Sequence, residues 1–138
     1  MSPPTTPDVL IRLKDNPMRY TLFLYNDESA FQHVSEEDMQ QQYQLFGQYI
    51  AALKQAGIFV DTDWLQPSPS ATVLTLKDGS KRVQDGPYAD TKEQLGGYFV
   101  IDVPDLDVAL AWAEKCPSVH YGLIEVRPSA MPDDRNGA

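Results

Sequence analysis

One cysteine, Cys116, stands in 138 residues, so no disulfide within the chain can support the fold. The two histidines, His33 and His120, lie nearly the whole body apart and have no ligand-like neighbours at short spacing. A zinc site needs several converging ligands, so no metal is expected. No apolar run approaches the roughly 18 residues of a membrane span, and no transmembrane helix is expected. The start, Met1-Ser-Pro-Pro-Thr-Thr-Pro7, lacks a basic stretch and an apolar core and does not read as a signal peptide. These absences lead to the expectation of a cytoplasmic protein. Basic residues are few: 11 Lys and Arg stand against 20 Asp and Glu, for a net charge of −9. Phosphate neutralisation needs clustered cations, so neither a nucleic-acid partner nor an anionic membrane is expected. The pair Gly96-Gly97 lacks the spaced glycines and following helix of a phosphate-binding loop, and no cofactor is expected.

What is present is enough apolar residue for one packed domain, 42% of the chain. Residues 1–17 hold four of the 11 prolines and read as a flexible tail, as do residues 129–138. The body between them, 18–128, has a clear rhythm. Met18–Tyr25 is an aromatic and aliphatic strand closed by Asn26-Asp27. Ser35 is a helix N-cap followed by Glu36, Glu37 and Asp38, whose charge suits the positive helix end. Met39, Tyr43, Phe46, Ile50 and Leu53 then recur at helical spacing, and Gly57 is placed to end the helix. Ile58–Leu65 is extended, and Ala71–Leu76 and Lys81–Gln84 flank Asp78-Gly79, a strong hairpin signal. Gln94–Val103 is a third main strand; glycines inside it require a bulge or a close backbone approach. Asp105 caps a second helix that ends at Cys116-Pro117, and His120–Arg127 is the last strand.

Strand, helix, strands, strand, helix, strand is the order of an α+β sandwich, a ferredoxin-like split β-α-β arrangement with both helices on one sheet face. A solvated outer face would alternate polar with apolar residues. Here Thr21, Phe23 and Tyr25 are as apolar or aromatic as Tyr20, Leu22 and Leu24, and Tyr98 and Val100 match Phe99 and Ile101. A sheet apolar on both sides calls for a second cover, and a homodimer with facing sheets is expected, with a pocket between them.

Asp85-Gly-Pro-Tyr88, Thr91-Lys-Glu-Gln-Leu-Gly-Gly-Tyr-Phe99, Asp105-Leu-Asp107, Ala109-Leu110, Trp112-Ala113 and Ile124-Glu-Val-Arg-Pro128 together resemble the YCII-related proteins of the DGPF subgroup. The likeness runs from about Met18 to Pro128, with Tyr88 where that subgroup usually has Phe and Asp90 where it often has Glu. It implies a dimeric α/β barrel of ferredoxin-like protomers. In the wider family it also implies an acid/base pair of an Asp and a His near the start of the first helix. Here that helix begins Ser35-Glu-Glu-Asp38 without a His, and His33 lies just before it.

The residues allow two readings at each candidate position. Asp85 and Glu93 can serve as carboxylate bases beside a Gly-Pro turn, with Lys92 holding an anionic substrate; equally, Asp85 can bond the turn's own amides while Lys92 and Glu93 stay solvated. Glu125 and Arg127 share a strand face and can bind a polar substrate or form an ion pair at a rim or dimer interface. Tyr20, Tyr25, Tyr88, Tyr98 and Tyr121 can line a cavity or belong to core and interface. Asp61 and Asp63 share a strand face without further partners, and Cys116 reads as a buried thiol. The expected function is binding of a small polar or aromatic metabolite between the dimer's sheets. Asp85 and Glu93 would perform lyase- or isomerase-type acid/base chemistry, and Lys92, Arg127, Tyr25, Tyr88, Tyr98 and Glu125 would hold the substrate. The alternative is a non-catalytic ligand-binding or regulatory partner module.

Overall fold

The computed structural model describes residues 18–131. The segment 1–17 and the end of the other expected tail, 132–138, lie outside the described residues. Among the described residues, six strands and two α-helices follow the predicted order: β1 (Met18–Asp27), α1 (Glu36–Gln55), β2 (Phe59–Trp64), β3 (Thr72–Lys77), β4 (Ser80–Asp85), β5 (Glu93–Val103), α2 (Leu106–Glu114) and β6 (Gly122–Pro128). Short 3₁₀ turns at Glu28–Phe31, Ser68–Ser70 and Pro117–His120 punctuate them.

The caps are those the sequence announces. The Ser35 hydroxyl accepts from the Asp38 amide at 3.1 Å, and the Asp105 carboxylate accepts from the Val108 amide at 2.9 Å. Gly57 takes φ +74°, a conformation in which a side chain would strain the backbone. At the Asp78-Gly79 turn both residues have positive φ, 51° and 79°, the twist that matches a two-residue hairpin.

Four strands form one antiparallel sheet in the order β2-β5-β1-β6. Each crossover helix joins two strands that have one other strand between them: β1 to β2 around β5, and β5 to β6 around β1. Both helices pack on one sheet face. The core joins Tyr20, Leu22, Leu24, Phe99, Ile101 and Val103 of the sheet to Tyr49 and Leu53 of α1 and Ala109 and Ala113 of α2, with Cys116 beside them. Tyr49, which falls off the spacing read from sequence, donates its hydroxyl to the Trp112 carbonyl at 2.7 Å and ties the two helices together. Thr21, Phe23, Tyr25, Tyr98, Val100 and Glu125 sit half-buried on the opposite face, where neither described helix packs. β3 and β4 pair only with each other and form a separate two-stranded sheet.

Candidate functional site

Both reasons for glycine inside β5 hold. The β1–β5 ladder steps from Leu24–Gly97 to Tyr25–Leu95, so Gly96 is the extra residue of a bulge. At Gly97 a β-carbon would come 2.7 Å from the Asp63 carbonyl oxygen of β2. With no side chain there, the helix-covered face of the sheet is left hollow at one end. Above the hollow runs the N-terminal half of α1. The result is a cleft of about 720 Å³, inside the size range of small-molecule sites.

Rings supply most of its walls: Phe31, Tyr43, Phe46, Trp64, Phe99 and Tyr121. They hold one another in edge-on and tilted contacts, Tyr43–Trp64 at 5.2 Å, Phe46–Trp64 at 5.5 Å and Phe31–Tyr121 at 5.0 Å between centroids. Amide side chains of Asn26, Gln32, Gln42 and Gln66 also line it. The Tyr121 hydroxyl donates to Gln42 Oε1 at 3.2 Å across the cleft wall. Burial raises the Tyr121 pKa to about 12, so this phenol stays protonated at neutral pH. One acidic residue of the wall, Glu28, is already engaged: its carboxylate accepts from the Ser68 amide at 2.7 Å and the Ser68 hydroxyl at 2.5 Å. Asp63 borders the cleft as well, but it pairs with Tyr98 on the uncovered side of the sheet, and its carboxylate accepts from the Trp64 amide at 2.9 Å. Among the described residues neither Lys nor Arg lines the cleft.

None of the eight residues singled out as catalytic or substrate-binding lines this cleft. Asp85 ends β4, exposed on the hairpin, and Tyr88 is 90% exposed just after it. Lys92 and Glu93 border a separate depression of about 390 Å³ with Asp27, His120, Tyr121, Gly122 and Leu123. There the Ser29 hydroxyl and amide hold the Asp27 carboxyl below its ordinary range, with Lys92 adding a smaller effect. Tyr25, Glu125 and Arg127 form a chain on the uncovered sheet face. The Tyr25 hydroxyl donates to Glu125 Oε1 at 3.2 Å, Arg127 Nη2 donates to Glu125 Oε2 at 2.5 Å, and the guanidinium lies 5.7 Å from the Phe23 ring centre. The Arg127 guanidinium holds the Glu125 carboxyl below the usual carboxylate range. Tyr98 is on the same face and donates to Asp61 Oδ2 at 3.4 Å. Of the five tyrosines read as possible cavity walls, Tyr121 alone lines the cleft, while Tyr20 is core.

His33 is exposed in the turn that precedes α1, and Cys116 is buried with its sulfur 3.3 Å from the Ser118 hydroxyl. Burial pushes the Cys116 thiol pKa up, away from nucleophilic character. Among the described residues no cluster of His, Cys, Asp and Glu comes together that could hold a metal ion. No described helix is long and apolar enough to cross a membrane.

The profile of the YCII-related domain matches residues 18–129. An uncharacterised protein of Rhizobium meliloti (strain 1021) is similar to this chain, with 34% identity over 116 residues that cover 83% of this chain and 94% of that protein.

Proposed function

The chain belongs to the YCII-related family, and from that premise we propose that it is a homodimeric small-molecule-binding protein whose cleft, one in each protomer, takes a compact uncharged aromatic compound. The protomers would be ferredoxin-like and meet by their uncovered sheet faces in a dimeric α/β barrel. The motif Asp85-Gly-Pro-Tyr88 favours the DGPF subgroup.

The observation that carries the reading is the composition of the cleft wall: six aromatic rings with side-chain amides between them and, among the described residues, no cation. Rings favour edge-on or offset contact with another ring. Gln42, Gln32 and Asn26 can each donate and accept, so they suit hydroxyl or carbonyl groups on such a ring. A carboxylate ligand would enter a low-dielectric site without a counter-charge, which is costly. Asp85, Glu93, Lys92 and Arg127 lie on other surfaces, and the Glu28 carboxylate at the wall already accepts hydrogen bonds from Ser68. These features favour the binding module over acid/base catalysis.

The test is a two-dimensional NMR titration of the full chain with a panel of neutral aromatics and aromatic carboxylates. The expected result is shifts at Phe31, Phe46, Trp64 and Tyr121 with the neutral compounds. Shifts confined to Phe23, Tyr25 and Arg127 would move the site to the space between the sheets. A compound at 100 times its Kd should add about 2.7 kcal/mol to folding stability.

A further inference from the structure

Every residue of β4 is exposed, as are all but one of β3. Pairing of Leu74 with Val83 and of Leu76 with Lys81 puts Leu74, Leu76, Val83 and Lys81 on one side of this hairpin. The three apolar side chains are 64%, 73% and 61% exposed. A lone two-stranded hairpin is marginally stable in water, and one that turns three large aliphatic residues outward gains nothing from them until something covers them. Its charge differs in sign from the rest of the chain. Residues 72–85 carry Lys77, Lys81 and Arg82 against Asp78 and Asp85, a net +1, which leaves −10 for the remainder of a chain at −9. The ion pairs found among the described residues are Arg19–Asp102 and Arg127–Glu125, so the hairpin cations have no carboxylate partner there. On the edge strand β2, exposed Asp61 and Asp63 accept hydrogen bonds from neutral donors only and likewise have no cation.

We infer that the β3–β4 hairpin is an intersubunit arm: its Leu74, Leu76 and Val83 side lies on a second copy of this chain, with Lys81 set against the acidic edge formed by Asp61 and Asp63 of that copy. The opposite charges on the arm and on the rest of the same chain are the reason to choose a second copy as occupant. In a two-fold dimer each contact is made twice, so one substitution acts at two places. This inference rests on the homodimer proposed above and adds a surface to it that the sheet faces do not contain.

Sedimentation equilibrium of the full chain, with circular-dichroism melts as a folding control, tests it. The wild type is expected to dimerise. Leu74→Ser with Leu76→Ser should raise the dimer Kd at least tenfold. Because these positions lie outside the core, the melt of the body should change little. Lys81→Glu, which leaves the apolar surface intact, should also weaken the dimer, and adding Asp61→Lys should restore much of the loss. A wild-type dimer that both arm variants leave equally tight overturns the arm and spares the sheet-face dimer. A wild-type monomer overturns both and hands the arm to a different partner or to a terminal segment of its own chain.

Discussion

The two halves of α1 meet the same sheet and do opposite things. Its C-terminal half packs: Leu53 is fully buried, in one core cluster with Ile101, Val103 and the α2 residues Ala109 and Ala113. Its first three turns roof a cleft: Met39, Tyr43 and Phe46 overhang a floor of Gly97, Leu24 and Phe99. One uninterrupted helical stripe therefore serves as core at one end and as cavity wall at the other. The difference is made by the strand beneath, where a glycine stands in place of a filling side chain.

The sharpest check on that contrast is Leu53→Ala beside Tyr43→Ala. The first should lose about 2–5 kcal/mol in urea unfolding, as truncations of buried leucines do. The second, on a side chain more than half exposed, should stay within about 1 kcal/mol. Equal losses would erase the distinction between the halves. Next in size is Gly97→Ala. Its β-carbon would meet the Asp63 carbonyl at 2.7 Å, so β2 must shift, at a cost of about 1–3 kcal/mol. The cleft should shrink with it, and aromatic binding should weaken even where the protein stays folded. A fully stable Gly97→Ala with unchanged binding would show that the glycine is not what hollows the sheet.

The two sheet faces should also separate by pH, with smaller effects. On the uncovered face the folded-state pKa of Glu125 is depressed by Arg127. Its contribution is therefore present above the ordinary carboxylate value and is lost as pH falls through the lower, folded value. The stability gap between wild type and Glu125→Gln should close in acid. At the cleft, Tyr121 has its pKa raised to about 12, so its contribution is present below pH 10 and is lost as pH rises through about 12. Tyr121→Phe should remove that alkaline step from the phenol absorbance titration and otherwise cost little.

The fold was largely legible because its signals are local. Ser35, Asp105, Gly57 and Asp78-Gly79 each act within one turn of chain, and each does what its chemistry predicts. The pairing order needed only the rule that crossovers split around a neighbouring strand. The cleft was not legible. Tyr43 and Phe46 fit the helical stripe, and nothing in a one-dimensional pattern separates a ring that fills a core from one that lines a hollow. Phe31 and Gln42 carried no signal, since their partner Tyr121 is 90 and 79 residues away respectively in the chain. The glycine pair was the available clue: it marked where the backbone had to be bare without telling which face would be emptied. At the last strand, the extended pattern includes His120, which falls in the preceding 3₁₀ turn. Gly122 then starts the strand, where a β-carbon would collide with the Tyr25 carbonyl oxygen.

The edges of the four-stranded sheet set a limit on how this chain can associate. β2, at one edge, breaks register between Phe59 and Asp61 and points two carboxylates outward, while β6, at the other, ends on Pro128. Irregular spacing, like charge and a residue without an amide hydrogen all spoil a template for further strands. Further strands therefore find a poor template at either edge of this sheet.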